Sequence, residues 1–332
     1  MTSVTDIRAV KTIPLFEPLQ PDLQAVLDKM RAAARIEIEG ELLDEALAHV
    51  VAVGGKLVRP ALTITAANIF RPTDDKLISL AASVEMLHTA TLVHDDLIDD
   101  AARRRGNPTL HTLLNPASAV LLGDYLFAQA AGWAADTENI RVVHIFAEGL
   151  MTLVEGELRQ MWAKFDLNRA NEDYYRRIYG KTAALFAAAC ESGAEFGGGS
   201  PGQVQALREY GRLLGLAFQI VDDVLDYAGD AARVGKPVGG DLRNGNITLP
   251  VIIYLRDYDT GGLGSTLLQE RLAPEQADEI VRRVAASPAL RDTLTEAQGL
   301  VRQACDFLDD LPATPEVERL RALGDYVVQR DV

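Results

Sequence analysis

Hydrophobic residues recur at spacings of three and four along most of the chain, from about Asp22 to the end. Leu80, Val84 and Leu87 follow this spacing ahead of the polar stretch that begins at His94. A period near 3.6 residues predicts α-helices, and the strict alternation that is typical of strands is almost absent. The pattern therefore predicts an all-α protein.

The nearest candidate for a strand is the apolar run at residues 248–255. Pro250 lies near its start, and proline fits the first turn of a helix better than the middle of a central strand. We therefore predict a helix in this segment as well.

Short breaks rich in Gly, Pro, Asn and Asp separate the predicted helices, as expected of turns. They lie at residues 54–55, 71–74, 106–108, 115–116, 166–170, 197–202, 229–246 and 260–264. None is a long Pro/Ser linker, and there is no internal repeat. This organisation predicts an N-terminal extension at residues 1–20, followed by a single helical domain at residues 21–332.

The composition is that of a packed globular protein, with 332 residues, 48% hydrophobic and 24% charged. Because 33 basic residues face 48 acidic ones, giving a net charge of −15, a nucleic-acid-binding surface is not expected to be the main function. No apolar stretch reaches the roughly 20 residues that cross a bilayer, and no signal peptide is recognisable. Cys190 and Cys305 are interpreted as reduced thiols. We predict a cytoplasmic protein without an integral membrane segment.

Two stretches share the pattern Asp-Asp-x-x-Asp, and each follows a long apolar run. The first comprises Asp95, Asp96 and Asp99, and the second comprises Asp222, Asp223 and Asp226. The first and last aspartates of each pattern are four residues apart and share one helix face, with the second about 100° round the helix. Three carboxylates near a helix C-terminus repel one another and favour a bound cation. Hard oxygen ligands without neighbouring soft ones indicate Mg²⁺, which bridges carboxylates to substrate phosphates.

One such pattern also arises by chance on a solvated helix, but two that each close an apolar helix favour a metal site. His88 and His94 are six residues apart, on different helix faces, so zinc is not expected. His88 could bind an anion or could be an ordinary hydrogen-bonded helix histidine.

Basic residues lie near both patterns and supply what a diphosphate site needs. They are Lys56, Arg59, the run at 103–105, Lys181 and Lys236. Each could equally be a solvated surface residue. Lys181 stands out because it lies in an apolar helix, where a lysine is costly unless an anion or a carboxylate meets it.

The ordered set of motifs resembles the trans-isoprenyl diphosphate synthase (polyprenyl synthetase) family from about residue 42 to residue 330. The motifs are GGKLVRP, EMLHTATLVHDDLIDDAARRRGNPTLH, LLGDYLFA, EGELRQ, YGKTAALF, FQIVDDVLDY and GKPVGGDLRNGNITLP. The resemblance implies an isoprenoid-synthase-type helical bundle around a deep central cavity, working as a homodimer. It implies condensation of isopentenyl diphosphate with an allylic diphosphate by ionisation, condensation and elimination.

The resemblance also implies roles for individual residues. Asp95, Asp96 and Asp99 would bind the Mg²⁺ that holds the allylic diphosphate, and Asp222, Asp223 and Asp226 would hold a further Mg²⁺ on it, with about three ions in each active site. The other allylic diphosphate contacts would be Arg104, Lys181, Thr182, Gln219 and Lys236. Isopentenyl diphosphate would contact Lys56, Arg59, His88 and Arg105. Asp95, Asp96, Asp99, Lys181, Asp222 and Asp223 would form the catalytic set.

Two positions depart from the family pattern. Leu57 and Asn246 stand where the family commonly has Arg and Lys, respectively. Each change removes a potential diphosphate contact, and Leu57 could weaken isopentenyl diphosphate binding.

Product length is expected to depend on Ala90 and Thr91, which lie about one helical turn before Asp95. Short-chain family members often carry aromatic residues there, whereas both residues are small in this chain. We therefore expect a product of about C30 to C50, on the basis that a helical turn of small side chains leaves the path of the growing chain open. The alternative is a shorter, geranylgeranyl or farnesyl, product if Phe127 or Leu87 closes the tunnel.

Two rival functions remain open. A class I terpene cyclase also uses one aspartate-rich helix with Mg²⁺, but its second motif normally mixes other residue types. A non-catalytic subunit of a heterodimer is the other rival, although such subunits have typically lost aspartates that this chain keeps.

Overall fold

A computed structural model describes residues 13–33, 46–47, 50, 55–162, 170–228, 238–260, 262 and 272–330. Helices account for nearly all the regular structure in these residues, which confirms the all-α prediction. Lys236, one of the predicted diphosphate contacts, lies outside the described residues.

Helices follow one another along the described parts of the chain. In order they are a 3₁₀ helix (Pro14–Leu19), α1 (Gln20–Ala33), α2 (Val58–Asn68), α3 (Asp75–Ile98), α4 (Leu110–Leu113), α5 (Pro116–Ala135), α6 (Ile140–Trp162), α7 (Ala170–Ile178), a π-helical turn (Tyr179–Ala183), α8 (Ala184–Gly197), α9 (Pro201–Ala228), α10 (Gly240–Arg243), α11 (Leu249–Asp257), α12 (Pro274–Ala286), α13 (Ala289–Asp306) and α14 (Pro315–Gln329).

Polar and proline residues begin several of these helices where the sequence indicates. The Asp74 carboxylate accepts a hydrogen bond from the Leu77 N–H at 2.8 Å and caps α3. Asn115 caps α5 in the same way, with Pro116 as the first helical residue. Pro250 lies in the first turn of α11, so the apolar run at 248–255 is helical as predicted.

A small hairpin follows α3 that the sequence predicts only as a break. Strands β1 (Arg103–Arg104) and β2 (Asn107–Pro108) pair antiparallel, with Arg104 opposite Asn107. The two residues between them, Arg105 and Gly106, have φ values of 50° and 81°. Two successive positive φ angles are typical of the type I′ turn of two-residue hairpins.

The chain forms two compact units of interleaved segments. The first takes Met1–Glu148, Ala188–Gln205 and Pro312–Arg319, and the second takes Gly149–Ala187, Ala206–Leu311 and Leu320–Val332. Phe16 and Leu19 of the 3₁₀ helix are buried, although they fall within the predicted N-terminal extension. The single domain at residues 21–332 stays a prediction.

Helix α3 forms the core of the first unit. Contrary to the expectation from the sequence, one described helix, α3, is long and apolar enough to span a membrane, but 78% of its most apolar stretch is buried inside the protein. Such burial is typical of the central helix of a globular core. The Asp-Asp-x-x-Asp pattern at its C-terminal end therefore emerges from a buried helix, as the sequence predicts.

In the second unit, glycines let the backbone segments around the π-helical turn approach closely. A Cβ atom on Gly180 would lie 2.6 Å from the Cα of Gly156, and one on Gly215 would lie 2.6 Å from the Cα of Ala183. Since real Cβ atoms need more room than this, only glycine fits at these positions. The turn is thereby packed against both α6 and α9.

Candidate active site

The three aspartates of the first pattern differ in their exposure to solvent. Asp95 is half-buried and Asp99 is exposed, whereas Asp96 is only 7% exposed. An Asp96 carboxylate oxygen accepts a hydrogen bond from Arg104 Nε at 2.7 Å. Burial raises the pKa of Asp96, and the Arg104 guanidinium opposes that rise. Asp96 therefore holds the β-hairpin arginine, while Asp95 and Asp99 share the face predicted to bind metal.

His94 packs towards α5. Its Nε2 lies 3.1 Å from the Val120 carbonyl oxygen, and its ring centroid is 5.3 Å from that of Phe127. A Cβ on Gly123 would overlap His94 Nε2, so glycine makes room for this ring. This placement fits the prediction that His94 lies on a different face from Asp95 and Asp99.

Three of the predicted isopentenyl diphosphate residues share one neighbourhood in the first unit. Burial and the positive charges of Arg59 and Arg105, with a smaller contribution from Arg104, hold the pKa of His88 well below its usual range. A neutral histidine among arginines can still donate a hydrogen bond to an anion. A Cβ on Gly55 would lie 3.4 Å from both terminal nitrogens of Arg105, so the glycine backbone lies beside that guanidinium. Lys56 is exposed.

Glu85 belongs to the same neighbourhood, although it is not among the predicted site residues. It lies one helical turn before His88, is 7% exposed, and its Oε2 has no hydrogen-bond partner among the described residues. Burial raises the pKa of Glu85, and the charges of Arg59 and Arg105 oppose that rise. The sequence signal for Glu85 was the presence of an acidic residue within the apolar run of α3.

The second aspartate pattern contains a chain of hydrogen bonds centred on Asp223. The Tyr174 hydroxyl donates to Asp223 Oδ2 at 2.7 Å, and Gln219 Nε2 donates to Asp223 Oδ1 at 2.9 Å. Thr182 Oγ1 in turn donates to Gln219 Oε1 at 2.6 Å. Asp223 is 2% exposed, and burial together with the nearby Asp241 and Asp222 raises its pKa. Thr182 and Gln219 are therefore brought to this pattern, and Tyr174 joins them without any sequence signal.

The two outer aspartates of this pattern also have protein partners. Backbone N–H groups of Gly240 and Asp241, at the start of α10, donate to the Asp226 carboxylate at 3.2 Å each. Asp222 Oδ1 lies 3.0 Å from Arg330 Nη1. Arg330 follows the end of α14 and, like Tyr174, carries no sequence signal for this role.

Lys181 occupies the π-helical turn and meets a carboxylate. Its Nζ lies 3.2 Å from Glu157 Oε1 and 3.3 Å from Oε2. The sequence predicts that an anion or a carboxylate faces this lysine, and Glu157 of α6 is that carboxylate. π-Helical turns are often found at functional sites because the extra residue redirects a side chain.

The carboxylates suit a hard cation that keeps part of its water shell. Among the described residues, no group of three or more His, Cys, Asp or Glu side chains is gathered as a ready-made metal cage. Mg²⁺ does not need such a cage, because it takes one or two carboxylates together with waters and substrate phosphate oxygens. Asp95, which is half-buried, and Asp99, which is exposed, share one helix face and fit this mode.

The remaining predicted positions are buried. Ala90 has no exposed surface, and Thr91, which is 5% exposed, donates its hydroxyl to the His88 carbonyl at 2.7 Å. Leu57 is 2% exposed and has a left-handed φ of 50° at the start of α2. Asn246 Oδ1 is buried without a hydrogen-bond partner among the described residues.

Long helices that end in paired aspartates, with Arg104 held against the first pattern and Arg330 against the second, define a helical protein whose polar groups suit a divalent cation and anionic ligands. The chain matches the profile of the polyprenyl synthetase family over residues 40–284. It belongs to that family.

Proteins of known identity resemble this chain along nearly its whole length. It is 33% identical to component 2 of the heptaprenyl diphosphate synthase of Geobacillus stearothermophilus, over 97% of this chain and 100% of that protein. A solved decaprenyl diphosphate synthase from Rhodobacter capsulatus superposes with a TM-score of 0.87 at 39% identity, covering 95% of this chain and 98% of that one. A polyprenyl synthase from Caulobacter crescentus, solved with calcium and isoprenyl diphosphate, gives a TM-score of 0.88 at 33% identity, covering 96% and 97%.

Proposed function

We propose that this protein is a Mg²⁺-dependent trans-prenyltransferase that condenses isopentenyl diphosphate with an allylic diphosphate to make a long all-trans polyprenyl diphosphate. The observation that carries the proposal is the gathering of Arg59, His88 and Arg105 in the unit that holds the first aspartate pattern. The long-chain synthases among its relatives support the same activity. We further propose that it acts in the cytoplasm.

The residues divide the work between two diphosphates. Arg59, His88 and Arg105, together with Lys56, bind isopentenyl diphosphate and hold its double bond beside the reacting carbon, which is a positioning effect. In the first unit, Asp95 and Asp99 are assigned to Mg²⁺ on the allylic diphosphate, with Arg104 as a donor to its oxygens. In the second unit, Asp222 is assigned to Mg²⁺ and Lys181 to a diphosphate oxygen. Mg²⁺, when bound, neutralises the negative charge that develops on the diphosphate as it leaves.

Hydrogen bonds around the second aspartate pattern keep its carboxylates in place while that charge develops. Tyr174 and Gln219 fix Asp223, and the start of α10 fixes Asp226. Carboxylates that are already oriented need no rearrangement when metal and substrate bind, so the site avoids a reorganisation cost during the reaction. No protein nucleophile is needed.

Incubation of the purified protein with isopentenyl diphosphate, Mg²⁺ and separate allylic primers tests the proposal. Products are resolved by chain length. A ladder that ends at about C30 to C50 is expected, because Ala90 and Thr91 are small and put no aromatic ring on that turn of α3. A ladder that stops at a geranylgeranyl or farnesyl product would keep the chemistry and contradict the long product. Pyrophosphate release from the allylic substrate alone would indicate a cyclase.

We propose that the working form is a homodimer joined through α6. Met151, Val154, Leu158 and Met161 lie on one face of this helix at spacings of three and four, and each is at least 40% exposed. An apolar stripe of this kind marks a protein–protein contact, and a second copy of the chain would cover it with the same stripe.

Sedimentation of the wild-type protein and of Leu158→Glu tests the dimer. A dimer that becomes a monomer in the variant is expected, while Arg176→Glu, at an exposed position of α7, leaves the dimer intact. A wild-type monomer would contradict the homodimer. The component-2 relative makes a heterodimer the alternative, and elongation that appears only with a second, different subunit would support it.

A further inference from the structure

Arg330 is held by contacts that do not involve the aspartates. Its Nε donates to the Val327 carbonyl oxygen at 3.2 Å, and its Nη2 donates to the Phe218 carbonyl oxygen at 3.0 Å. The guanidinium carbon also lies 3.9 Å from the centroid of the Phe218 ring. Because the guanidinium is planar and rigid, fixing two nitrogens and one face also fixes the direction of the third nitrogen.

That third nitrogen is directed at the second aspartate pattern. Arg330 Nη1 lies 3.0 Å from Asp222 Oδ1, and the arginine side chain is only 11% exposed. The Asp222 side chain stays 40% exposed, so ligands in solution still reach its carboxylate. Arg330 therefore restricts the rotation of Asp222 without enclosing it.

The helix that leads to Arg330 is itself attached to α9. The Tyr210 hydroxyl of α9 donates to the Leu320 carbonyl oxygen of α14 at 2.7 Å. Tyr210 lies twelve residues before Asp222, and Leu320 lies ten residues before Arg330. The two helices run in the same direction between these contacts, since both residue numbers rise from the first contact to the second. The arginine is thus delivered to Asp222 by a helix attached near both of its ends.

We propose that Arg330 is a positioning residue for the second aspartate pattern, holding the Asp222 carboxylate in the orientation in which it takes Mg²⁺ together with the allylic diphosphate. The inference rests on the proposed function, because it assigns Asp222 to the metal. Partners that orient metal-binding carboxylates typically change metal affinity about 10- to 100-fold when they are removed.

Metal binding without turnover gives the first measurement. Mn²⁺ is titrated into the full-length protein in the presence of inorganic pyrophosphate and followed by electron paramagnetic resonance. Arg330→Gln is expected to weaken Mn²⁺ binding about tenfold. The matched control is Arg321→Gln, because Arg321 lies on the same helix but contacts Asp309 and the Cys305 carbonyl. This control is expected to bind Mn²⁺ as the wild type does.

Arg330→Lys separates orientation from charge. Lysine keeps the positive charge but cannot make the planar set of contacts, so it is expected to bind Mn²⁺ nearly as weakly as Arg330→Gln. Wild-type affinity in Arg330→Lys, or tighter binding in Arg330→Gln, would show that the arginine acts as a simple counter-charge and would overturn the proposal. Thermal unfolding of all three variants checks that they are folded.

Steady-state kinetics gives the second measurement and tests the proposed function separately. Arg330→Gln is expected to raise the Mg²⁺ concentration for half-maximal rate and the KM for the allylic primer, with the KM for isopentenyl diphosphate unchanged. A rise confined to the KM for isopentenyl diphosphate would overturn the inference. Weakened Mn²⁺ binding in Arg330→Gln, alongside a wild-type protein that elongates no primer, would overturn the proposed function and leave the role of Arg330 standing.

Discussion

Gly156 of α6 and Gly180 of the π-helical turn meet backbone to backbone, so that a Cβ on Gly180 would lie 2.6 Å from the Cα of Gly156. The residues that follow each glycine, Glu157 and Lys181, form an ion pair 3.2 Å apart. The position of the Lys181 ammonium group, which we assign to the diphosphate, therefore depends on two glycines. Any added side chain at this contact must separate α6 from the turn.

Gly180→Ala is expected to reduce the free energy of unfolding by about 3 kcal/mol, because the new methyl group would overlap backbone atoms that cannot rotate away. Activity is expected to fall as well, since Lys181 would shift. Urea unfolding measures the first effect. Gly132→Ala is the control: a Cβ there meets nothing within 4 Å, so a gain of about 0.5–1 kcal/mol is expected from the helical alanine. Equal stability of the two variants would contradict the close contact.

Asp99→Asn is expected to lower turnover by orders of magnitude, because Asp99 shares the proposed metal-binding face of α3 with Asp95. Asp100→Asn should leave turnover nearly unchanged. Asp100 is also exposed but lies outside this face with a φ of 51°, which asparagine tolerates. Initial rates at saturating Mg²⁺ compare the two neighbours. The assignment of Asp99 to the metal fails if both variants keep full turnover, or if only Asp100→Asn loses it.

Ala90→Phe is expected to shorten the product, because a large ring one turn before Asp95 would block the path of the growing chain. Product chains are separated and sized after incubation with one primer. Thr89→Phe places the same ring one position earlier, in a different direction round the helix, and should leave the length distribution unchanged. If the two variants give the same products as the wild type, this turn of α3 does not line the tunnel.

The stability of the protein is expected to fall at acidic pH in part through His88. Its folded-state pKa is lowered by burial and by Arg59 and Arg105, so below pH 6.5 the unfolded chain takes up a proton that the folded chain does not. The contribution of neutral His88 to the free energy of unfolding is fully present above pH 6.5. It is lost as the pH falls towards the folded-state pKa, by at most about 1.4 kcal/mol per pH unit.

Urea unfolding at pH 7 and pH 5 tests this expectation. His88→Gln has no group that titrates there, so it should lose less stability between the two pH values than the wild-type protein does. An identical loss in both proteins would mean that His88 is protonated in the fold as readily as in the unfolded chain.

Helix positions followed from the sequence because they depend on local patterns. The period of α3, the proline in the first turn of α11 and the Gly-rich link between α8 and α9 are all readable within a few residues. The hairpin at 103–108 was missed as a pair of strands because its turn is Arg-Gly, whereas Asn-Gly and Asp-Gly are the usual signals.

Partners of the site residues were harder to predict because they come from distant parts of the chain. Asp223 receives the hydroxyl of Tyr174, 49 residues away, and Lys181 meets Glu157, 24 residues away. Nothing in the spacing of the aspartates distinguishes the buried second residue of each pattern from its neighbours. That difference arises only when each helix packs within its own unit and turns one face inward.

The β1–β2 turn holds Arg105 in a left-handed backbone conformation. This conformation costs most residues about 1 kcal/mol more than it costs glycine or asparagine. Asparagine is the common residue at such a position, so Arg105→Asn is expected to make the protein more stable by about 0.5–1 kcal/mol while raising the KM for isopentenyl diphosphate about tenfold. Melting curves and kinetics on the same preparation test both halves. Arg105 therefore lowers the stability of its turn while it contributes to substrate binding. Directed evolution that selects only for heat resistance would be expected to replace Arg105 early.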